Sequence, residues 1–317
     1  MRALATRLRA WWHSRLPRAD TVALTHRNVY ILPTRPGLML AATLLVLLVA
    51  SINYQLNLGY LVTFLLGGAA LAAMHVSHAN LRGLQLALSA PAPQFCGAAA
   101  PLTVTLTNTS RRARAGVALA VSQPGQPPQW AWCDVPARGS SQVQVTVPAG
   151  PRGLQPLPLL AAETRFPLGT FRAWALWRPA ARMLVYPQPE ALPPPLPPGE
   201  ATRDDGRARR SAASGEFDGV RAWRRGDPMR LVAWKKAART GELVSRDTQQ
   251  SGRQVLWLDL AQAGAGDTER RLSRLTAWVL QADRLGLDYG LRLPGLALAP
   301  GQGEAHRLRC LEALALC

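Results

Sequence analysis

The chain has 317 residues, with 37 Lys and Arg against 19 Asp and Glu and a formal net charge of +18. A hydrophobic content of 48% excludes a wholly disordered chain, and 26 Gly with 26 Pro argue against an all-helical bundle. The four Cys form no C-x-x-C pair, which excludes a zinc ribbon and does not suit a disulfide scaffold.

The charge falls in blocks. Residues 1–36 carry seven Arg and one Asp, residues 81–253 hold the rest of the surplus, and residues 254–317 are neutral. Residues 1–36 are read as a basic cytoplasmic leader, and Arg2, Arg7, Arg9, Arg15 and Arg18 with Trp11 and Trp12 suit either an anionic lipid surface or a partly disordered topology signal. Residues 37–80 hold no Asp, Glu, Lys or Arg. That block predicts a two-helix transmembrane hairpin over 37–78, because its two apolar runs, 38–52 and 58–76, approach the roughly 17–25 residues a span needs. The polar connector from Asn53 to Gly59 suits a tight turn. Tyr30, Tyr54 and Tyr60 suit the interfaces, and Gly67, Gly68, Ala69, Ala72 and Ala73 offer small residues for helix packing. A signal peptide and a buried hairpin of a soluble protein are the competing readings. The long leader and the second apolar run argue against the first, and the length of the uncharged block against the second. Arg before the first run and none between the runs puts both termini and the soluble domains in the cytoplasm. Cys96, Cys133, Cys310 and Cys317 are then expected as reduced thiols.

Residues 81–190 predict a small antiparallel β-sandwich. Residues 102–107, 116–121 and 142–147 alternate with period two between turn-forming clusters such as Asn108-Thr-Ser110 and Ala149-Gly150-Pro151. A further strand pair is expected between Arg152 and Phe171, and the exposed face suits packing or protein contact. A Pro-rich linker follows over 191–214. The charges between Arg203 and Arg210 read as a solvated loop, with an anion site as the sharper alternative.

Residues 215–317 hold a dense Arg/Trp motif and then an α/β segment. Gly226-Asp227-Pro228 is a turn, with Asp227 placed to cap a helix that begins at Pro228. Arg221, Arg230, Lys235 and Arg239 crowd cations near Trp223 and Trp234, for which Arg–Trp stacking or an Asp227–Arg pair is the ordinary structural explanation. The motif comprises Gly215, Phe217, Val220, Arg221, Trp223, Gly226, Asp227, Arg230, Trp234, Lys235, Ala238, Arg239, Leu243 and Arg246. In this order it resembles the signature of the bacterial family called domain of unknown function 58. The organisation of nearly the whole chain, membrane hairpin, β region, motif and α/β segment, is similar too. The resemblance implies a relative of von Willebrand factor A-type domains, encoded beside a MoxR-type AAA+ ATPase and a transglutaminase-like membrane protein. The family's biochemical role is unsettled.

In the α/β segment, residues 254–260 read as a buried strand and 267–285 as an amphipathic helix with Leu272, Leu275, Val279 and Ala282 on one face. Residues 288–293 read as a second strand and 304–316 as a final helix. Strand–helix–strand is the unit of a parallel sheet, whose site lies at the carboxyl ends of the strands. By the resemblance, an A-type metal site would follow the first strand as Asp-x-Ser-x-Ser. Here the run is Asp259-Leu-Ala261-Gln-Ala263, so methyls replace both hydroxyls and Asp259 is the one metal candidate, with capping or pairing to Arg as its alternative. The segment is short, so a truncated von Willebrand A-like fold is expected, and no cofactor.

The leading functional reading is a non-catalytic, membrane-anchored interaction protein that presents cytoplasmic β and α/β surfaces to a partner, by family analogy a MoxR-type AAA+ ATPase. The alternative is an electrostatic binder of anionic lipid or nucleic acid, and a metal-dependent enzyme ranks third. Neither Gly-x-Ser-x-Gly, His-Glu-x-x-His nor a Walker loop occurs, and no catalytic residue is assigned. His75 and His78 could pair on a metal or mark the interface, and His306 with Cys310 and Cys317 could form a thiol site or a helix face.

Overall fold

The structure is a computed structural model and describes residues 16–123, 127–201, 220–222, 244–246 and 254–317. The chain divides into two units after Gln188.

In the first unit, period-two alternation builds two facing antiparallel sheets. One has the order β1 (Thr21–Ala23), β3 (Leu84–Leu88), β5 (Ala99–Asn108), β8 (Ser140–Pro148). The other runs β2 (Tyr30–Pro33), β11 (Phe171–Trp177), β10 (Leu159–Thr164), β6 (Arg114–Ser122), β7 (Ala131–Val135). Leu86, Val104 and Val145 from the first sheet meet Leu119, Leu160 and Ala175 from the second in one core, as expected of a sandwich. A small third sheet places β12 (Arg182–Tyr186) parallel to β4 (Gln94–Phe95) and antiparallel to β9 (Gly153–Pro156).

The sandwich begins before the hairpin. β1 pairs with β3 and β2 with β11, and Leu24 and Val29 are buried in the core. Asp20 Oδ1 accepts from the amides of Ala180 and Ala181 at 2.9 and 2.7 Å. A boundary at residue 36 therefore does not separate a leader from the sandwich. Strands of three and four residues are too short to show a period, which hid them in the Arg-rich sequence. Trp11, Trp12 and the Arg before residue 16 lie outside the described residues.

The hairpin consists of α1 (Arg35–Tyr54) and α2 (Asn57–Leu81). Thr34 caps α1 by accepting from the Gly37 amide, and its hydroxyl donates to the Gly169 carbonyl at 2.6 Å. A Cβ on Gly37 would lie 2.0 Å from the Thr170 carbonyl oxygen, so only glycine lets the foot of α1 sit against that backbone. Gln55 ends α1 in the left-handed conformation. At the other foot, Ser77 donates to the Phe166 carbonyl at 2.6 Å, and Asn80 donates to Ala115 O and Thr164 Oγ1. Both helices are long and apolar enough to cross a membrane. Met39, Val46, Leu58 and Phe64 point outward and are each about two-thirds exposed or more. The packing differs from expectation at Gly67 and Gly68, where a Cβ would meet nothing within 4 Å. The close approach is at Gly59 against Ser51, near the turn, where Ser51 and Thr63 are buried.

The second unit has a sheet of order β13 (Glu200–Ala201), β16 (Gln254–Asp259), β17 (Tyr289–Leu293), β18 (Leu296–Gly301). Only β16 and β17 are parallel. Between them α3 (Thr268–Arg284) is capped by Asp267, which accepts from the Arg270 amide, and buries Leu272, Leu275, Val279 and Ala282. α4 (Glu304–Leu316) closes the chain. The Pro-rich segment is not a free linker at its start: Glu190 N donates to Ser273 O, and Trp278 Nε1 donates to Pro194 O at 2.8 Å, so residues 190–194 strap α3. β14 (Val220–Ala222) and β15 (Val244–Arg246) form a separate antiparallel pair.

Candidate functional site

The described part of the Arg/Trp motif is this two-stranded ladder. Arg221 stands opposite Ser245 and Arg246 opposite Val220, so the two ends of the motif are brought side by side. Gly215, Phe217, Trp223, Gly226, Asp227, Arg230, Trp234, Lys235 and Arg239, with the helix expected at Pro228, lie outside the described residues.

At the carboxyl end of β16, Asp259 Oδ1 accepts from the Ala261 amide at 2.9 Å and caps a short 3-10 turn over Leu260–Gln262. That is the capping role weighed against metal binding. Arg274 on α3 organises the loop: Nη1 donates to Ala263 O at 2.6 Å, while Nε and Nη2 grip both oxygens of Glu190 at 2.8 and 3.2 Å. Gly264 has φ +81, and a Cβ there would lie 2.7 Å from Arg274 Nη1, so glycine admits the guanidinium. Among the described residues no group of three His, Cys, Asp or Glu could hold a metal ion.

The structure brings His306 and Cys310 together, with Sγ 3.5 Å from Nε2, and leaves Cys317 exposed. The same Nε2 lies 2.7 Å from the Tyr289 carbonyl oxygen. A carbonyl only accepts, so Nε2 carries a proton and cannot take one from the thiol. Burial pushes the Cys310 thiol up to about 11, away from the thiolate a nucleophile needs. His306, Cys310 and Tyr289 are all buried, and the cluster ties α4 to β17.

The outer face of the five-stranded sheet carries a lateral row that sequence inspection missed. Register sets Tyr30, Trp174, Glu163, Ala118 and Trp132 side by side across all five strands. Glu163 is fully buried, and Arg165 donates to its Oε1 at 2.7 Å while Arg172 faces Oε2 as an ion pair. Arg172 also lies over the Trp130 and Trp174 rings, at 5.7 and 6.0 Å. Trp132, at the end of the row, is 53% exposed. The Glu-x-Arg spacing was visible in the sequence, but only strand pairing adds Arg172 and the aromatic residues.

His78 does not pair with His75 on a common partner. It stacks on His26, with ring centroids 4.6 Å apart. The four Cys are all free thiols, and burial, reinforced by Asp134, raises the Cys133 thiol above its ordinary value. No family model and no curated protein matches the chain.

Proposed function

We propose that the chain is a non-catalytic, membrane-anchored interaction protein of a bacterial inner membrane. Its hairpin spans the bilayer twice, and both termini, the sandwich and the α/β unit lie in the cytoplasm. One observation carries the reading: the strands on either side of the hairpin belong to one sandwich, so the anchor leaves and re-enters a single folded domain on one side of the bilayer. The exposed apolar surface of α1 and α2 supports the span, since water would not tolerate so much of it uncovered. The Arg-rich start supports the cytoplasmic side. The exposed end of the row at Trp132 is the sandwich surface offered to a partner, and the Arg/Trp motif supplies the second contact.

By its resemblance to the family called domain of unknown function 58, the partner is a MoxR-type AAA+ ATPase. A transglutaminase-like membrane protein is a second candidate. The α/β unit is then a truncated von Willebrand A-like domain that works by contact, without a metal. Crosslinking in native bacterial membranes tests this, comparing the natural chain with Arg230→Ala and Trp132→Ala. Loss of one AAA+ crosslink from variants that remain folded is the expected result. Gentle-detergent purification without any such ATPase would falsify the partnership, and release of the chain by alkaline carbonate would refute the anchor.

A further inference from the structure

The foot of α2 gathers basic side chains. Arg82 follows the helix and hydrogen-bonds His26 through Nη1, and His26 in turn stacks on His78. Arg114, at the start of β6, donates to the Ala79 carbonyl through Nη1 and to that of Arg82 through Nη2. Burial, and then Arg82 and Arg112, lower the Arg114 guanidinium below its ordinary value. Three segments distant in sequence thus converge: the β1–β2 turn, the end of α2, and the start of β6. Among the described residues, none of His26, His78, Arg82, Arg112 and Arg114 is paired with a carboxylate.

Capping explains Arg114, because a cation at a helix end satisfies orphan carbonyls. It does not explain why the Arg82 guanidinium sits beside Arg114, with Arg112 near enough to act on the same group. Guanidinium charges gathered this way favour an anion among them. His26 also fixes one of the cations: a guanidinium only donates, so His26 Nε2 accepts from Arg82 and orients it.

Height along the helix indicates which anion. The apolar run closes at Val76. At about 1.5 Å per residue, His78 lies about 3 Å and Arg82 about 9 Å beyond it. The headgroup layer extends roughly 5–8 Å beyond each side of the hydrocarbon core, within reach of a long Arg side chain.

We propose that this cluster is a phosphate site that takes the phosphodiester of an anionic lipid headgroup. The assignment rests on the hairpin spanning a membrane. The forked guanidinium of Arg82 matches the phosphate oxygens, His26 and His78 form the wall that holds it in place, and Arg112 adds positive charge close by.

The test uses the intact chain in phosphatidylcholine vesicles containing a minor fraction of phosphatidylglycerol. Carbonate extraction is run first on the same vesicles; extraction of the chain would overturn the membrane reading and this proposal with it. Native mass spectrometry of the integral chain then counts retained lipids. Phosphatidylglycerol should be retained preferentially. Arg82→Gln should weaken its retention about fivefold and Arg112→Gln less, both should leave phosphatidylcholine unchanged, and Arg82→Lys, which keeps the charge without the fork, should restore only part of the loss. Equal retention of the two lipids by an integral chain, or unchanged retention in the double Gln variant, would overturn the site alone. Inorganic phosphate at millimolar concentration should fail to displace the lipid. Displacement would overturn the headgroup assignment.

Discussion

In the sandwich, Val22 pairs with Leu86 across the whole hairpin and Tyr30 with Trp174 across most of the unit. In the α/β unit, β16, α3 and β17 follow one another directly, and the parallel pair closes over one helix. The two regions bury apolar surface by opposite routes, one through distant strand pairing and one through local succession. The two apolar helices lie inside this long-range fold. Their feet are fixed by Thr34, Ser77 and Asn80 to sandwich backbone and side chains, so the hairpin is part of the domain rather than an appendage hung from it.

The contrast predicts where each region breaks. Leu275→Ala opens a cavity under α3, where Leu275 is fully buried, and should cost the α/β unit about 3 kcal/mol. Hydrogen exchange is the measurement: α3 amides should lose protection while β5 and β8 amides keep theirs. In the sandwich the corresponding weak point is ionic. Glu163→Ala leaves Arg165 and Arg172 without their carboxylate, but those side chains are 53% and 36% exposed and water takes up part of their charge. The expected loss is about 2 kcal/mol, below that for a fully buried pair, and Glu163→Gln should lose less. Thermal unfolding in detergent distinguishes the two. Equal stability for Glu163→Ala and the natural chain would mean the row is held by its aromatic residues alone.

The same contrast explains what could be read from the sequence. Leu272, Leu275, Val279 and Ala282 announce α3 because a helix face needs only its own residues. Val143, Val145 and Val147 announce β8 for the same reason, with period two. β1 and β2 are defined by partners beyond the hairpin, and nothing local marks them. β18 was within reach, since Pro294-Gly295 is a strong turn signal and Leu293 pairs with Leu296 across it. Of the candidate sites, Asp259 was legible as a strand-end cap. The cluster of His26, His78, Arg82 and Arg114 was not, because its members are joined only when β1, β6 and α2 meet.

A smaller effect sharpens the picture of the α/β unit. Gly264→Ala puts a side chain at φ +81 and against Arg274 Nη1. The strain should cost about 1 kcal/mol and loosen the loop after β16. The measurement is the protection of the Ala261 and Ala263 amides, which should fall if the Asp259 turn depends on that loop. Unchanged protection would place the turn's stability in the Asp259 cap alone.

The smallest predicted effect concerns the strap over α3. The hydrogen bond from Arg274 holds the Glu190 carboxyl below its ordinary value, with burial opposing the shift. A carboxylate whose folded pKa is depressed adds stability above its unfolded pKa, about 4.3 for glutamate, and that stability is lost as pH falls through the folded value. The strap should therefore stay docked at pH 6 and begin to release below about pH 4. The Trp278 indole N–H, which donates to Pro194 O, reports docking directly by NMR, with Trp278→Phe to assign its resonance. Its signal should move toward that of a solvent-exposed indole on acidification and return when the pH is raised. Glu190→Gln keeps an acceptor but no charge, so it should weaken docking at pH 6 and flatten the acid dependence. An equally steep acid response in Glu190→Gln would move the release to another carboxylate and leave Arg274 as a grip on Ala263 O alone.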